Sequence, residues 1–179
     1  MLDRITRMIS RLRAWIRLRS ALRGVAVFRA TLSARHYIAA EDKWIDKGII
    51  CTRVVTDEFV ELLVDELQAS APAHTRFFDF KFHDSGTGVG AEAAGDTALG
   101  TPTGEARDTG TQVEGASANI YKTVATHTYA GTFAVTEHGL FSAASAPDEL
   151  MDRSVFAAIN VVSGDKIEFT YELTCGSGG

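Results

Sequence analysis

The chain has 179 residues, of which 45% are hydrophobic and 23% charged, and its formal net charge is −5. That length fits one domain, or one domain with an arm, and the apolar fraction is enough for a core, which excludes wholesale disorder. No window approaches the ~18 apolar residues of a membrane span, and the N-terminal arginines leave no uncharged core for a signal peptide.

The net charge hides an asymmetry. Residues 1–40 carry nine arginines against one acid, Asp3, a net of +8. The remainder carries nine basic and 22 acidic residues, a net of −13. Like charges crowded on one segment repel until something neutralises them, so the basic segment reads as an arm with a partner. Cys51 and Cys175 are the only cysteines. Two thiols make neither a disulfide framework nor a four-ligand zinc site, and predict free thiols in a protein made in a reducing cytoplasm.

Residues 1–24 form the expected arm. Leu2, Ile5, Ile9, Leu12 and Ile16 follow helical spacing, Met8, Trp15 and Leu22 widen the stripe, and arginines fill the other faces of a helix over 2–23. Gly24 is its stop. The body, 25–179, opens with a strand from Val25 to Ile38, where β-branched and aromatic residues alternate with small ones. Residues 41–48 (EDKWIDKG) read as a polar turn carrying Trp44, and a second strand is expected over Ile49–Val55.

Thr56 is placed as the N-cap of a short helix. Asp57 and Glu58 suit its positive end, Phe59, Leu62, Leu63 and Leu67 form its apolar face, and Pro72 follows it. Residues 76–83 (RFFDFKFH) alternate cleanly, with Phe78, Phe80 and Phe82 on one side and Asp79, Lys81 and His83 on the other, which predicts a strand. From Asp84 to Ala116 there is no aromatic residue and half of the 16 glycines. That composition predicts a long extended loop or a set of short turns, free to drape over a neighbour, rather than a buried strand. Further strands are expected over 118–129, 132–141, 154–161 and 166–174, with turns at Ala130-Gly131, near Pro147 and at Ser163-Gly164-Asp165. The fold class is therefore mainly β: an antiparallel sandwich or small barrel of six or seven strands, with an N-terminal amphipathic helix and one short internal helix.

No chemistry rises out of the polar residues. His83-Asp84-Ser85 has the letters of a triad, but consecutive residues cannot converge as one. Gly86-Thr87-Gly88-Val89-Gly90 lacks the lysine and hydroxyl of a phosphate loop. His127 and His138 face each other if they share a hairpin, but the histidines show no ligand spacing. Glu137 beside His138 has no second carboxylate or nucleophile placed with it. The reading is a non-enzyme with no cofactor and no metal.

The arm has three functional readings: phosphate of a nucleic acid, an anionic membrane surface, or a groove on a partner protein. Packing on its own body needs only the apolar stripe and leaves the arginines unexplained. The −13 body argues against nucleic acid, which it repels wherever both approach.

From about residue 48 the sequence resembles a family of small virion-associated proteins of tailed bacteriophages, described as head-decoration or tail-fibre-like proteins. The resemblance rests on CTRVVT at 51–56, FKFHDSGTGVGAEAAGDTAL at 80–99 and GTQVEGASANIYKTVAT at 110–126. It continues with VTEHGLFSAAS at 135–145 and LMDRSVFAAINVVSGDKIEFTYELT at 150–174. It implies a β-rich structural module on the phage head surface, made in the host cytoplasm, without catalysis or cofactor. The expected role is a capsid decoration (cement) protein that binds the outer shell and bridges major capsid protein subunits, as a homodimer or homotrimer. A tail or fibre-adaptor protein is the alternative. The arm lies outside the resemblance; on chemistry alone Arg11, Trp15, Arg17 and Arg19 are its expected contacts with the capsid.

Overall fold

The structure is a computed structural model that describes residues 27–53, 55–67 and 79–176. The arm helix expected over 2–23, with Arg11, Trp15, Arg17 and Arg19, lies outside the described residues, as do Pro72 and the first part of the strand expected over 76–83. The chain divides into two units. One is Arg29–Thr174; of the other (Met1–Phe28 and Cys175–Gly179) only four residues are described, Val27 and Phe28 as the start of one strand, Cys175 and Gly176 as the end of another.

Among the described residues there are nine strands, a single 3-10 turn at Ala39–Glu41, and one α-helix, α1 (Asp57–Leu67). The strands are β1 (Val27–Ile38), β2 (Lys43–Arg53), β3 (Phe82–Gly86), β4 (Asp108–Thr109), β5 (Val113–Glu114), β6 (Ile120–Thr128), β7 (Phe133–Phe141), β8 (Leu150–Val161) and β9 (Lys166–Gly176). They form two antiparallel sheets, one in the order β2-β1-β9-β6-β5 and the other β4-β3-β7-β8. The protein is thus a mainly β sandwich, as its alternating segments predict.

The first sheet follows the period-two rule closely. Ala30, Leu32 and Ala34 of β1, Ala125 of β6, and Ile167, Phe169, Tyr171 and Leu173 of β9 are buried, and the residues between them face outward. The connection that carries the chain from β8 in the second sheet to β9 in the first turns at Gly164, whose φ of +92° suits glycine. The β1–β2 turn is shorter than expected. Asp42, at φ +48°, closes it, and Trp44 already belongs to β2, opposite Tyr37, 5.3 Å between ring centroids. β2 is an edge strand with Trp44 and Ile49 exposed among its charged residues, so it carries little alternation to read.

The second sheet departs from the period. Every residue of β7 from Val135 to Phe141 is buried, because both of its faces are covered. His138 faces the first sheet, its ring 4.6 Å from Phe169. Glu137, Gly139 and Phe141 face the other way, under residues 87–107, which lie over this sheet as a third layer. The same layering reverses the expected faces of 76–83. β3 spans only Phe82–Gly86; His83 and Ser85 point into the sandwich, while Phe82 packs outward against Leu99, Phe141 and Leu150. Phe80 lies before β3, buried edge-on against Phe59 of α1.

α1 begins where Thr56 predicts. The Phe59 amide donates to Thr56 Oγ1 at 3.3 Å, and Thr56 N donates to the Met151 carbonyl at 2.9 Å, which moors the helix to the start of β8. No helix among the described residues is long and apolar enough to cross a membrane.

Candidate functional site

Three groups of buried polar side chains stand out, each joining segments far apart in sequence. The first lies between the second sheet and the glycine-rich segment. Glu137 is completely buried in the middle of β7. A carboxylate there is tolerable only if its lone pairs are filled. Gly88 N donates to Oε1 at 2.9 Å, Thr101 N to Oε1 at 2.7 Å, and Gly100 N to Oε2 at 3.0 Å. Arg153 of β8 donates through Nε and Nη2 to Oε2, at 2.9 and 2.7 Å. Burial alone raises the Glu137 carboxyl; the Thr101 amide, the Arg153 guanidinium and the Gly100 and Gly88 amides outweigh it and hold the group below the ordinary range. Arg153 also reaches Asp96 at 3.0 Å and the Gly90 carbonyl at 3.2 Å.

The second group pins the far end of the same segment. Arg107 donates to Asp84 at 3.2 Å, to the Ala143 carbonyl at 2.8 Å and to Asp148, with its guanidinium 3.5 Å over the Phe141 ring. Residues 87–107 are therefore fastened to their own domain at both ends. A long loop is present but narrower than the expected 84–116: Asp84–Gly86 belong to the buried strand β3, β4 and β5 take 108–109 and 113–114, and the partner of the loop is the chain's own second sheet.

The third group fills the interior between the sheets. His83 Nδ1 and His138 Nε2 share a hydrogen bond of 2.9 Å, and His83 Nε2 shares another of 2.9 Å with Thr123 of the opposite sheet. Tyr129 donates to Ser85 at 3.1 Å, and His127 pairs with Asp108. Desolvation lowers His83 to about 3, only partly opposed by Asp108. It also pushes His138 well below its ordinary value, with His83 and His127 adding to the effect. Both rings are neutral at pH 7 and act as hydrogen-bonding bridges between sheets.

His127 and His138 come from different sheets rather than from one hairpin. His83, Asp84 and Ser85 do not converge: His83 and Ser85 point inward while Asp84 pairs with Arg107 on the outer face. Among the described residues no group of three or more His, Cys, Asp or Glu side chains is arranged to hold a metal. Cys51 is buried on β2, and neither cysteine forms a disulfide.

The Glu137–Arg153 pair is the feature sequence reasoning passed over. Its signal is charged residues in the middle of two strands with apolar ends, Glu137 in VTEHGLF and Asp152 and Arg153 in LMDRSVF, which demand buried partners. Comparison of the chain with protein-family models, with curated proteins and with solved structures returns no match.

Proposed function

We propose that the chain is a structural protein of a tailed-bacteriophage virion, a decoration protein that binds the outer shell and bridges major capsid protein subunits. The observation that carries the reading is the meeting of the resembling segments at one staple. Gly88 belongs to the 80–99 stretch, Glu137 to 135–145 and Arg153 to 150–174, and these three residues are direct hydrogen-bonding partners. The stretches that resemble the phage family thus build one interlocked unit.

The chemistry of that unit suits a structural part. Its buried charges are committed to holding backbone, and its buried histidines are neutral bridges between sheets. The basic N-terminal segment, +8 over residues 1–40, and the acidic remainder give the chain two regions of opposite sign, as a clip between copies of another protein requires. In this reading Arg11, Trp15, Arg17 and Arg19 meet the shell, and the body associates as a small symmetric oligomer on the head surface.

Removal of residues 1–24 tests the proposal. The full chain binds particles that lack it, whereas the truncated chain keeps its thermal transition and leaves them bare. Full occupancy by the truncated chain sinks the reading.

A further inference from the structure

Residues 87–107 are held differently from the rest of the body. Leu99 is the one large apolar side chain they bury, and Val89 is 79% exposed. Their other attachments are polar. Glu137 takes the amides of Gly88, Gly100 and Thr101, and Arg153 takes Asp96 and the Gly90 carbonyl. Thr136 Oγ1 donates to the Gly88 carbonyl at 2.8 Å, and Asp57 N of α1 to the Ala94 carbonyl at 2.8 Å. At the base the two ends of the loop pair with each other or with β3: Thr87 N donates to the Thr101 carbonyl at 2.8 Å, and Thr103 N to the Ser85 carbonyl at 3.0 Å. Beneath lies apolar surface, with Phe82, Phe141 and Leu150 packed around Leu99.

We propose that residues 88–101 are a strap that opens as one unit, latched by the Glu137–Arg153 pair and uncovering Phe82, Gly139 and Phe141 while both sheets stay folded. A segment with one apolar anchor and many polar ties has a local stability below that of the sheets, because most of its holding energy sits in few groups. Those ties converge on two side chains, so losing one loosens the whole strap. The paired base gives the opening a fixed hinge, and Arg107 keeps the chain beyond it in place. The inference stands on contacts within the chain and does not depend on the virion assignment.

Native-state hydrogen exchange on the full chain tests it. The amides of Gly88, Gly100 and Thr101 share one protection factor, lower than those of Phe169 and Tyr171 in β9. Glu137→Gln lowers strap protection about 10- to 100-fold, the loss of hydrogen bonds to a charged acceptor, and the strap amides stay less protected than those of β9. Glu137→Ala behaves likewise, and added formate restores part of the protection by entering the amide-lined site. If neither variant folds, Asp96→Asn decides: it loosens the same amides to a smaller degree. Strap amides as protected as β9 in the unaltered protein overturn the proposal. So does one protection factor shared by the strap and β9 in Glu137→Gln, or no change in Asp96→Asn.

Discussion

A Cβ at position 88 would stand 2.7 Å from Cδ of Glu137 and overlap its Oε1, so the loop approaches this carboxylate at a distance only glycine allows. Gly86 meets the same side chain, and a Cβ at position 100 would lie 2.8 Å from Arg153 Nη2. Gly86, Gly88 and Gly100 are there for close approach to a buried ion pair rather than for looseness.

Glycine substitutions separate the two roles. Gly88→Ala is predicted to destabilise the protein by about 1–3 kcal/mol, since neither the buried carboxylate nor the strand beneath can yield. Gly90→Ala and Gly95→Ala, where nothing lies within 4 Å of the new methyl group, change stability by less than about 0.5 kcal/mol. Urea unfolding of the three variants checks this, and equal effects at all three positions contradict it.

Breaking the ion pair from one side leaves the other charge buried. Glu137→Ala and Arg153→Ala are each predicted to cost about 3–5 kcal/mol, and the double variant less than the sum of the two. Denaturant titrations arranged as a double-mutant cycle measure the coupling. Additive losses would mean that the two side chains do not act on each other.

The buried histidines make stability depend on acid. His83, with an ordinary value of 6.5, falls to about 3 in the folded chain, and His138 is also pushed well below its ordinary value. The unfolded chain therefore binds more protons than the folded one between pH 6.5 and 3, and stability drops as pH falls through that window. With two such groups the slope approaches about 2.7 kcal/mol per pH unit. Glu137, Asp96 and Asp165, all held low in the folded state, add loss of the same sign at the acidic end. The test is the urea midpoint from pH 7.5 to 4.5. A curve that stays flat down to pH 5 would remove the neutral-histidine bridge.

Thr56 joins helix to sheet. It caps α1 through Oγ1 and donates from the same hydroxyl to the Leu150 carbonyl. Thr56→Ala is predicted to cost about 1–2 kcal/mol, with Thr56→Ser close to the unaltered protein. Thermal unfolding distinguishes the pair; an unchanged alanine variant would show that neither bond contributes.

The parts legible in the sequence are those governed by local pattern. β6 and β9 alternate, Thr56 precedes a helical face, and Gly164 marks a turn. Where the reading missed, a long-range partner decides. Phe82 faces outward because a third layer covers it, and that layer exists because Gly88 finds Glu137 49 positions along the chain. No local period records such a pairing. Trp44 was assigned to a turn because an exposed edge strand has polar residues on both faces.

The number of copies of this chain per purified particle, measured by quantitative mass spectrometry against the major capsid protein, tests the proposed function most directly. A decoration protein gives an abundance close to that of the shell subunit, at the symmetry axes it occupies. A count of about a dozen or fewer would assign the chain to the tail or to a single vertex, and its absence from the particle would contradict the virion reading altogether.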